Sequence, residues 1–376
     1  MIPVSEPVLR GREAEYVAEC LETGWISSSG RFIEAFEDSW AAYCGRRFGV
    51  AVSNGTVALQ LAVASLGIGA GDEVILPTFT IISCALAVMY AGGTPVLVDA
   101  DPATWCMDVG QVEAKITSRT RAIMPVHIYG HPVDMDPLLR LARRHGLAVI
   151  EDAAEAHGAE YHSSESDHDA WLRCGNFGEA SCFSFYANKL VTTGEGGMVV
   201  TDDEPLAQRL RSLRNLAFEP GRRFLHRELG FNFRLTNVQA AIGLAQVEQI
   251  DATVARKRAI GRRYASALSG VDGIRLQPER EWAKSVYWMN GMVLDRTTGL
   301  DARALAERLR PLGVETRPFF VGMHRQPALL ERGLFGGQTY PVSDEIAEQG
   351  LYLPSGVGLT DEQVDAVASA TEEALR

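Results

Sequence analysis

Between residues 48 and 152, short apolar runs alternate with helical patterns: FGVAVS, VALQLAVASLG, EVILP, TIISCALAVMYAG, PVLVDA, AIMPVHIY, PLLRLARRHG, LAVIED. Strand-length runs separated by helices predict a mostly parallel sheet covered by helices on both faces. Ligands of such sheets sit beyond the carboxyl ends of the strands. Three groups are expected to share that edge: Gly55-Thr56, Asp152 after LAVIE, and Ser184 with Lys189 farther along. Asn54-Gly55-Thr56 joins a strand to a helix start, where free backbone N–H groups can hold an anion. The commoner use of Asn54 or Thr56 there is as an N-cap. Asp152 has two readings as well, a cap for the next helix or a carboxylate facing the cleft.

Residues 180–203, ASCFSFYANKLVTTGEGGMVVTDD, read as a strand, a polar excursion carrying Lys189, a Gly-rich turn and a second strand. Gly194, Gly196 and Gly197 are expected to supply the backbone freedom of the reversal. A lysine held between two buried strands loses hydration, which lowers its pKa and favours the free amine. A free amine suits Schiff-base chemistry; a surface lysine in a hairpin is the bland alternative.

Residues 161–175 are polar and without periodicity, so a solvated loop is expected; His162, Asp167, His168 and Asp169 fit no metal-site spacing. His127 and His131 are four apart, but Gly130 and Pro132 break any helix, leaving a turn with one satisfied core histidine. No metal is expected. Residues 222–237 look irregular and basic, and 237–269 form a long helical pattern broken once. From about residue 250 the order changes to an α+β module, which gives a large α/β domain over 1–249 and a small one over 250–376.

The 376 residues suffice for two such domains, and a net charge of −12 argues against nucleic-acid partners. Six cysteines without a CxxC pair read as reduced, buried thiols of a cytoplasmic protein. No positively charged, apolar leader and no apolar run near ~20 residues is present, so no membrane partner is expected.

With these pieces placed, the chain resembles the DegT/DnrJ/EryC1/StrS family of pyridoxal-phosphate sugar aminotransferases. The likeness is carried by GWISSSG, SNGTVALQLA, GDEVILPTFT, VIEDAAEAHGAEY, CFSFYANKLVTTGEGGMVVT, LGFNFRLTN and RPFFVGMHRQP. It implies a fold-type I transferase. Lys189 would carry the cofactor covalently and then shuttle the proton between substrate and cofactor. Asp152 would pair with the pyridinium nitrogen, and Glu155 would lie near the cofactor's 3-oxygen. Gly55, Thr56 and Ser184 would hold its phosphate. Asn232 would reach the phosphate in the neighbouring subunit, making a homodimer with shared active sites. The amino donor would be glutamate and the acceptor a keto sugar on a nucleotide.

Within the family the likeness is nearest to 4-aminotransferases, which makes GDP-4-keto-6-deoxymannose the expected acceptor. Amination at C3, dTDP or UDP sugars and ketocyclitols are the alternatives, with a non-catalytic regulator farther off. On the substrate side the candidates are Ser27, Arg222 or Arg223, and His324. Two features depart from the family pattern. Ile81 stands where many relatives stack an aromatic on the cofactor, and 161–175 looks longer than the usual short turn.

Overall fold

The computed structural model describes residues 1–165 and 169–376, Arg223 by its backbone alone. Asp167 and His168 therefore lie outside the described residues, as does the Arg223 side chain. Helices α1 (Glu13–Thr23) and α2 (Arg31–Cys44) come first. The alternation then runs β1 (Phe48–Val52), α3 (Gly55–Ser65), β2 (Glu73–Pro77), α4 (Ser83–Tyr90), β3 (Thr94–Val98), β4 (Thr120–Ile123), α5 (Met135–His145) and β5 (Ala148–Asp152). After these come β6 (Glu160–Ser163), β7 (Ala170–Arg173), β8 (Ala180–Ser184) and β9 (Gly197–Thr201).

Seven strands make the central sheet in the order β1-β9-β8-β5-β4-β2-β3. Only β9 is reversed, running antiparallel to β1 and β8, while the other pairs are parallel. β2 and β9 are buried at every residue, because helices cover both faces. Helix α3 is apolar nearly all round because it is wedged against β8, β9 and α4.

The structure departs from three expectations. The run AIMPVHIY is a strand only to Ile123, since Pro125 has no N–H for the ladder and Tyr129 turns at φ 52°. The described residues of 161–175 are not a solvated loop. β6 and β7 pair as an antiparallel hairpin whose inner residue Tyr161 packs on Phe177 and Trp282, with ring centroids 5.8 and 5.3 Å away. Its polar residues have a partner: Asp136 accepts from Ser163 Oγ at 2.6 Å and from the Ser164 N–H at 2.9 Å. The basic stretch also contains order. After α6 (Glu204–Arg214), strands β10 (Phe218–Glu219) and β11 (Arg222–His226) form a second hairpin.

The long helical pattern breaks once, between α7 (Asn237–Val247) and α8 (Ile250–Ala267). The remainder comprises β12 (Ile274–Leu276), β13 (Ala283–Lys284), β14 (Asn290–Leu294), α9 (Ala302–Leu309), β15 (Arg317–Pro318), α10 (Pro327–Leu330), α11 (Pro341–Gln349), β16 (Gly350–Leu353) and α12 (Asp361–Leu375). β12, β14, β16 and β15 form an antiparallel sheet over a second apolar core that includes Tyr264, Met292, Leu305, Leu351 and Val367. Two segments cross between the units. β13 pairs with β6, and residues near Ile2 pair with this C-terminal unit. There Ile2 bridges Val314, the Val4 N–H donates to Glu315 at 3.0 Å, and the Ser355 N–H donates to the Val4 carbonyl at 2.7 Å. The chain turns at Tyr287, whose φ is 47°, so Trp288 and Met289 lie ahead of β14 and outside its ladder.

Candidate active site

The parallel strands β1, β2, β5 and β8 bring their carboxyl ends to one edge, where a cleft of about 600 Å³ opens. Gly55, Thr56, Ile81, Asp152, Glu155, Ser184 and Lys189 all line it. Lys189 lies on the long connection between β8 and β9. Its side chain is 10% exposed, and Nζ stands 3.9 Å from Glu155 Oε1. Burial lowers the Lys189 pKa, and the Glu155 and Asp152 carboxylates partly oppose the fall. Glu155 is buried and pushed up to about 7 by desolvation, with the Lys189 charge pulling the other way. Its second oxygen accepts the Tyr129 N–H at 2.7 Å.

Asp152 ends β5 and is buried. Oδ1 accepts the Ala154 N–H at 3.1 Å, and Oδ2 accepts the Cys84 thiol at 3.1 Å. Desolvation raises its pKa, against these donors and the Lys189 charge.

At the far end the start of α3 makes an anion cradle. Asn54 caps the Val57 N–H at 3.0 Å, as the bland reading expected, and the Gly55 and Thr56 N–H groups precede the first intrahelical bond. Gly55 is required for space: a Cβ there would lie 2.6 Å from Ser184 Cβ. Thr56 Oγ1 sits 2.9 Å from Ser83 Oγ. In the turn before β9 only Gly194 needs a positive φ, 79°. Gly196 and Gly197 are needed for close approach instead, since a Cβ would come within 2.2 Å of Thr193 Oγ1 and 2.4 Å of the Asn54 carbonyl.

Four other candidates lie elsewhere. Asn232 is exposed and accepts from Arg234 Nε at 2.9 Å. Ser27 is exposed, its carbonyl accepting the Asn237 N–H at 2.6 Å, and Arg222 is exposed on β11. His324 is buried away from the cleft, with Nδ1 2.8 Å from Thr78 Oγ1 and Nε2 3.0 Å from Asp344 Oδ1. It ties the loop after β2 to α11. His127 and His131 are both satisfied core residues, His127 sharing its ring nitrogens between Glu151 and the Val133 N–H.

Sequence reasoning missed Trp288, Ser83 and Cys84. Trp288 lines the cleft with its ring centroid 3.8 Å from Lys189 Nζ. Its Nε1 donates to the Asn188 carbonyl at 2.9 Å, and its own carbonyl accepts from buried Lys257 Nζ at 2.8 Å. Ser83 and Cys84 lay inside an expected helix, whose periodicity marks buried faces but not what those faces touch.

The sequence profile of the DegT/DnrJ/EryC1/StrS aminotransferase family matches residues 7–372. The chain belongs to this family. Among DegT/DnrJ/EryC1/StrS members it is 44% identical to a GDP-perosamine synthase of Caulobacter vibrioides, over 100% of this chain and 98% of that one. A GDP-perosamine synthase of Escherichia coli O157:H7 is 42% identical, over 99% and 98%. Among solved structures, DesV from S. venezuelae superimposes with a TM-score of 0.89 at 37% identity, covering 97% of this chain and 94% of that one. As a DegT/DnrJ/EryC1/StrS member the protein is an aminotransferase of fold-type I. The cleft fits pyridoxal phosphate: a buried amine for its aldehyde, a buried carboxylate for its ring nitrogen, and helix N–H groups with a glycine-lined approach for its phosphate.

Proposed function

We propose that the enzyme moves an amino group from glutamate to carbon 4 of GDP-4-keto-6-deoxymannose, giving GDP-perosamine, with pyridoxal phosphate held in the Lys189 cleft. The observation that carries this reading is the single cleft joining the Lys189 amine, the Asp152 carboxylate and the α3 anion cradle. Bound there, pyridoxal phosphate supplies an electron sink for breaking bonds at the amine-bearing carbon. The chain supplies the rest. Gly55, Thr56 and Ser184 anchor the phosphate, and Asp152 keeps a negative charge at the ring nitrogen. Lys189, its pKa lowered by burial, takes and returns the proton at the reacting carbon. Glu155 accepts the Tyr129 N–H with one oxygen and faces Lys189 Nζ with the other, so it steers that amine. Ile81 closes the mouth with an aliphatic face.

The working unit we infer is a homodimer in the cytoplasm, with Asn232 of each subunit completing its neighbour's phosphate site. Asn232 is exposed and outside its own chain's cleft, and large apolar side chains stand exposed near it in sequence, Leu229 at 94% and Phe224 at 75%. Exposed apolar surface of this kind marks an interaction face. Ser27 and Arg222, both exposed, are our candidates for the nucleotide diphosphate. Among the described residues no helix is long and apolar enough to cross a membrane.

The GDP assignment rests on the relatives named GDP-perosamine synthase. Amination at C3 of a dTDP sugar is the second reading, since a dTDP-3-amino-3,4,6-trideoxy-alpha-D-glucose transaminase of Streptomyces venezuelae is 39% identical over 93% of this chain. Keto sugars on GDP, dTDP and UDP, assayed with glutamate and read by NMR for the position of the new amine, decide between them. A strong preference for dTDP substrates, or a C3 product, overturns the proposal.

A further inference from the structure

We infer that Cys84 is the positioning residue for Asp152: its thiol donates to the carboxylate, fixes its direction and holds it ionised. This rests on the proposed cofactor chemistry, in which the charge of Asp152 matters, and adds the group that maintains it.

The geometry starts at α4. Its first two residues serve opposite ends of the cleft: the Ser83 hydroxyl meets Thr56 in the anion cradle at 2.9 Å, and the Cys84 thiol meets Asp152 Oδ2 at 3.1 Å. Consecutive helical residues point about 100° apart, so one short turn sets the spacing between the phosphate end and the acid end. Cys84 is fully buried and Asp152 is 3% exposed, so no solvent substitutes for the contact. Among the described residues, the other donor to this carboxylate is the Ala154 backbone N–H, on Oδ1. The thiol thus occupies the oxygen that the local turn leaves unmatched.

The direction of donation follows from the surroundings. The Lys189 charge favours the ionised form of Asp152, whereas the Glu155 carboxylate opposes it. Cys182 on β8 and Cys84 on α4 are both held far above the ordinary thiol pKa by burial and by the nearby carboxylate. Cys84 therefore remains S–H throughout the working range, a donor with no competing ionisation. Thr80 Oγ1, 3.8 Å from the sulfur, backs it from the other side. A hydrogen bond to the charged form lowers a carboxylate pKa, and its removal raises it.

Cys84→Ser keeps a γ-position donor, Cys84→Ala removes it, and Cys84→Val fills the space without one, so agreement between Ala and Val separates the hydrogen bond from packing. In the loaded enzyme we expect Cys84→Ala to move the acid limb of the glutamate single-turnover rate up by about one pH unit, about tenfold at a fixed pH on that limb. Cys84→Ser should restore the wild-type limb. Equal pH profiles for Ala and Ser overturn the inference while leaving the cofactor proposal standing. A wild-type protein that never develops the cofactor's visible band sinks both. A second measurement needs neither cofactor nor turnover. The infrared S–H band of Cys84, isolated by subtracting the Cys84→Ser spectrum, should shift when Asp152 is changed to Asn. A band that stays in place overturns the inference even where Cys84→Ala does not fold.

Discussion

Lys189 Nζ stands 3.8 Å from the centroid of the Trp288 ring, and the same indole donates to the carbonyl of Asn188, one residue before that lysine. The ring is thereby fixed to the backbone that carries the amine. Its face favours the ammonium form by about 0.5–2 kcal/mol, against the burial that favours the free amine. Trp288→Leu should lower the Lys189 pKa, so the midpoint pH for borohydride-trapped capture of pyridoxal phosphate should fall. Trp288→Phe keeps the aromatic face and should hold the midpoint while losing the tether to Asn188. Equal midpoints in wild type and Trp288→Leu would dismiss the ring's role.

Lys189→Ala is expected to fold, to lose the reducible covalent link and to lose turnover. Lys189→Arg should fail equally, because a guanidinium stays protonated and cannot condense with an aldehyde. Multiple turnover by either variant is the disqualifying result.

Asp152→Asn keeps the shape of the acid end and removes its charge. The single-turnover rate with glutamate should fall by more than tenfold, about 1.4 kcal/mol or more in barrier. A rate within about threefold of wild type, less than ~1 kcal/mol, excludes the electronic role.

Buried Lys257 braces the cleft wall by donating to the carbonyls of Trp288 and Ser355, and burial pushes its pKa from 10.5 down to about 7. Between those values the unfolded chain binds a proton that the folded one does not, so this group makes stability rise with pH from about 7 to 10. Lys257→Met leaves both carbonyls without their donor, a loss of about 1–3 kcal/mol. In urea unfolding the advantage of wild type over Lys257→Met should widen as pH is raised through that window. An advantage independent of pH refutes a lysine that titrates there.

On the proposed homodimer, Asn232→Asp would set a carboxylate against the neighbouring subunit's cofactor phosphate and remove an amide donor. Mixed with Lys189→Ala, dissociated and re-paired, it should regain activity, because one site of each mixed dimer holds both intact residues. No recovery, with mixed dimers confirmed by mass, removes the cross-subunit role of Asn232 and leaves that of Lys189 untouched.

Much of the fold and the cleft was legible because the relevant periods are local. Alternation of apolar runs announced the strands and their common edge, and Asp152 and Ser184 at strand ends, with Gly55 and Lys189 in the connections that follow, inherited their place from it. What stayed hidden depends on contacts across long separations. Cys84 and Asp152 are 68 residues apart, and Trp288 meets a carbonyl 100 residues away. A buried thiol looks the same in sequence whether it faces a leucine or a carboxylate. The hairpin at 160–173 was obscured for a similar reason. Ser163 and Ser164 look solvated until Asp136, 27 and 28 residues earlier, is seen to accept from them. His324 shows the reverse: its motif suggested the cleft, but Thr78 and Asp344 occupy both ring nitrogens.

The pairing of Ile2 and Val4 with the C-terminal unit imposes an order on biosynthesis. Val4 is made 311 residues ahead of Glu315, a lead of roughly 15–60 s at ribosomal rates of about 5–20 residues per second. During that interval the seven strands of the large sheet are all complete, while the segment around Val4 has nothing to pair with. Its partners, and the Ser355 carbonyl that helps Lys257 brace the Trp288 wall, are made only after all seven of those strands. A nascent chain therefore owns its lysine and its anion cradle well before it owns the wall that holds the amine. Until the segment carrying Ser355 is made, Lys257 has half of its bracing contacts to find.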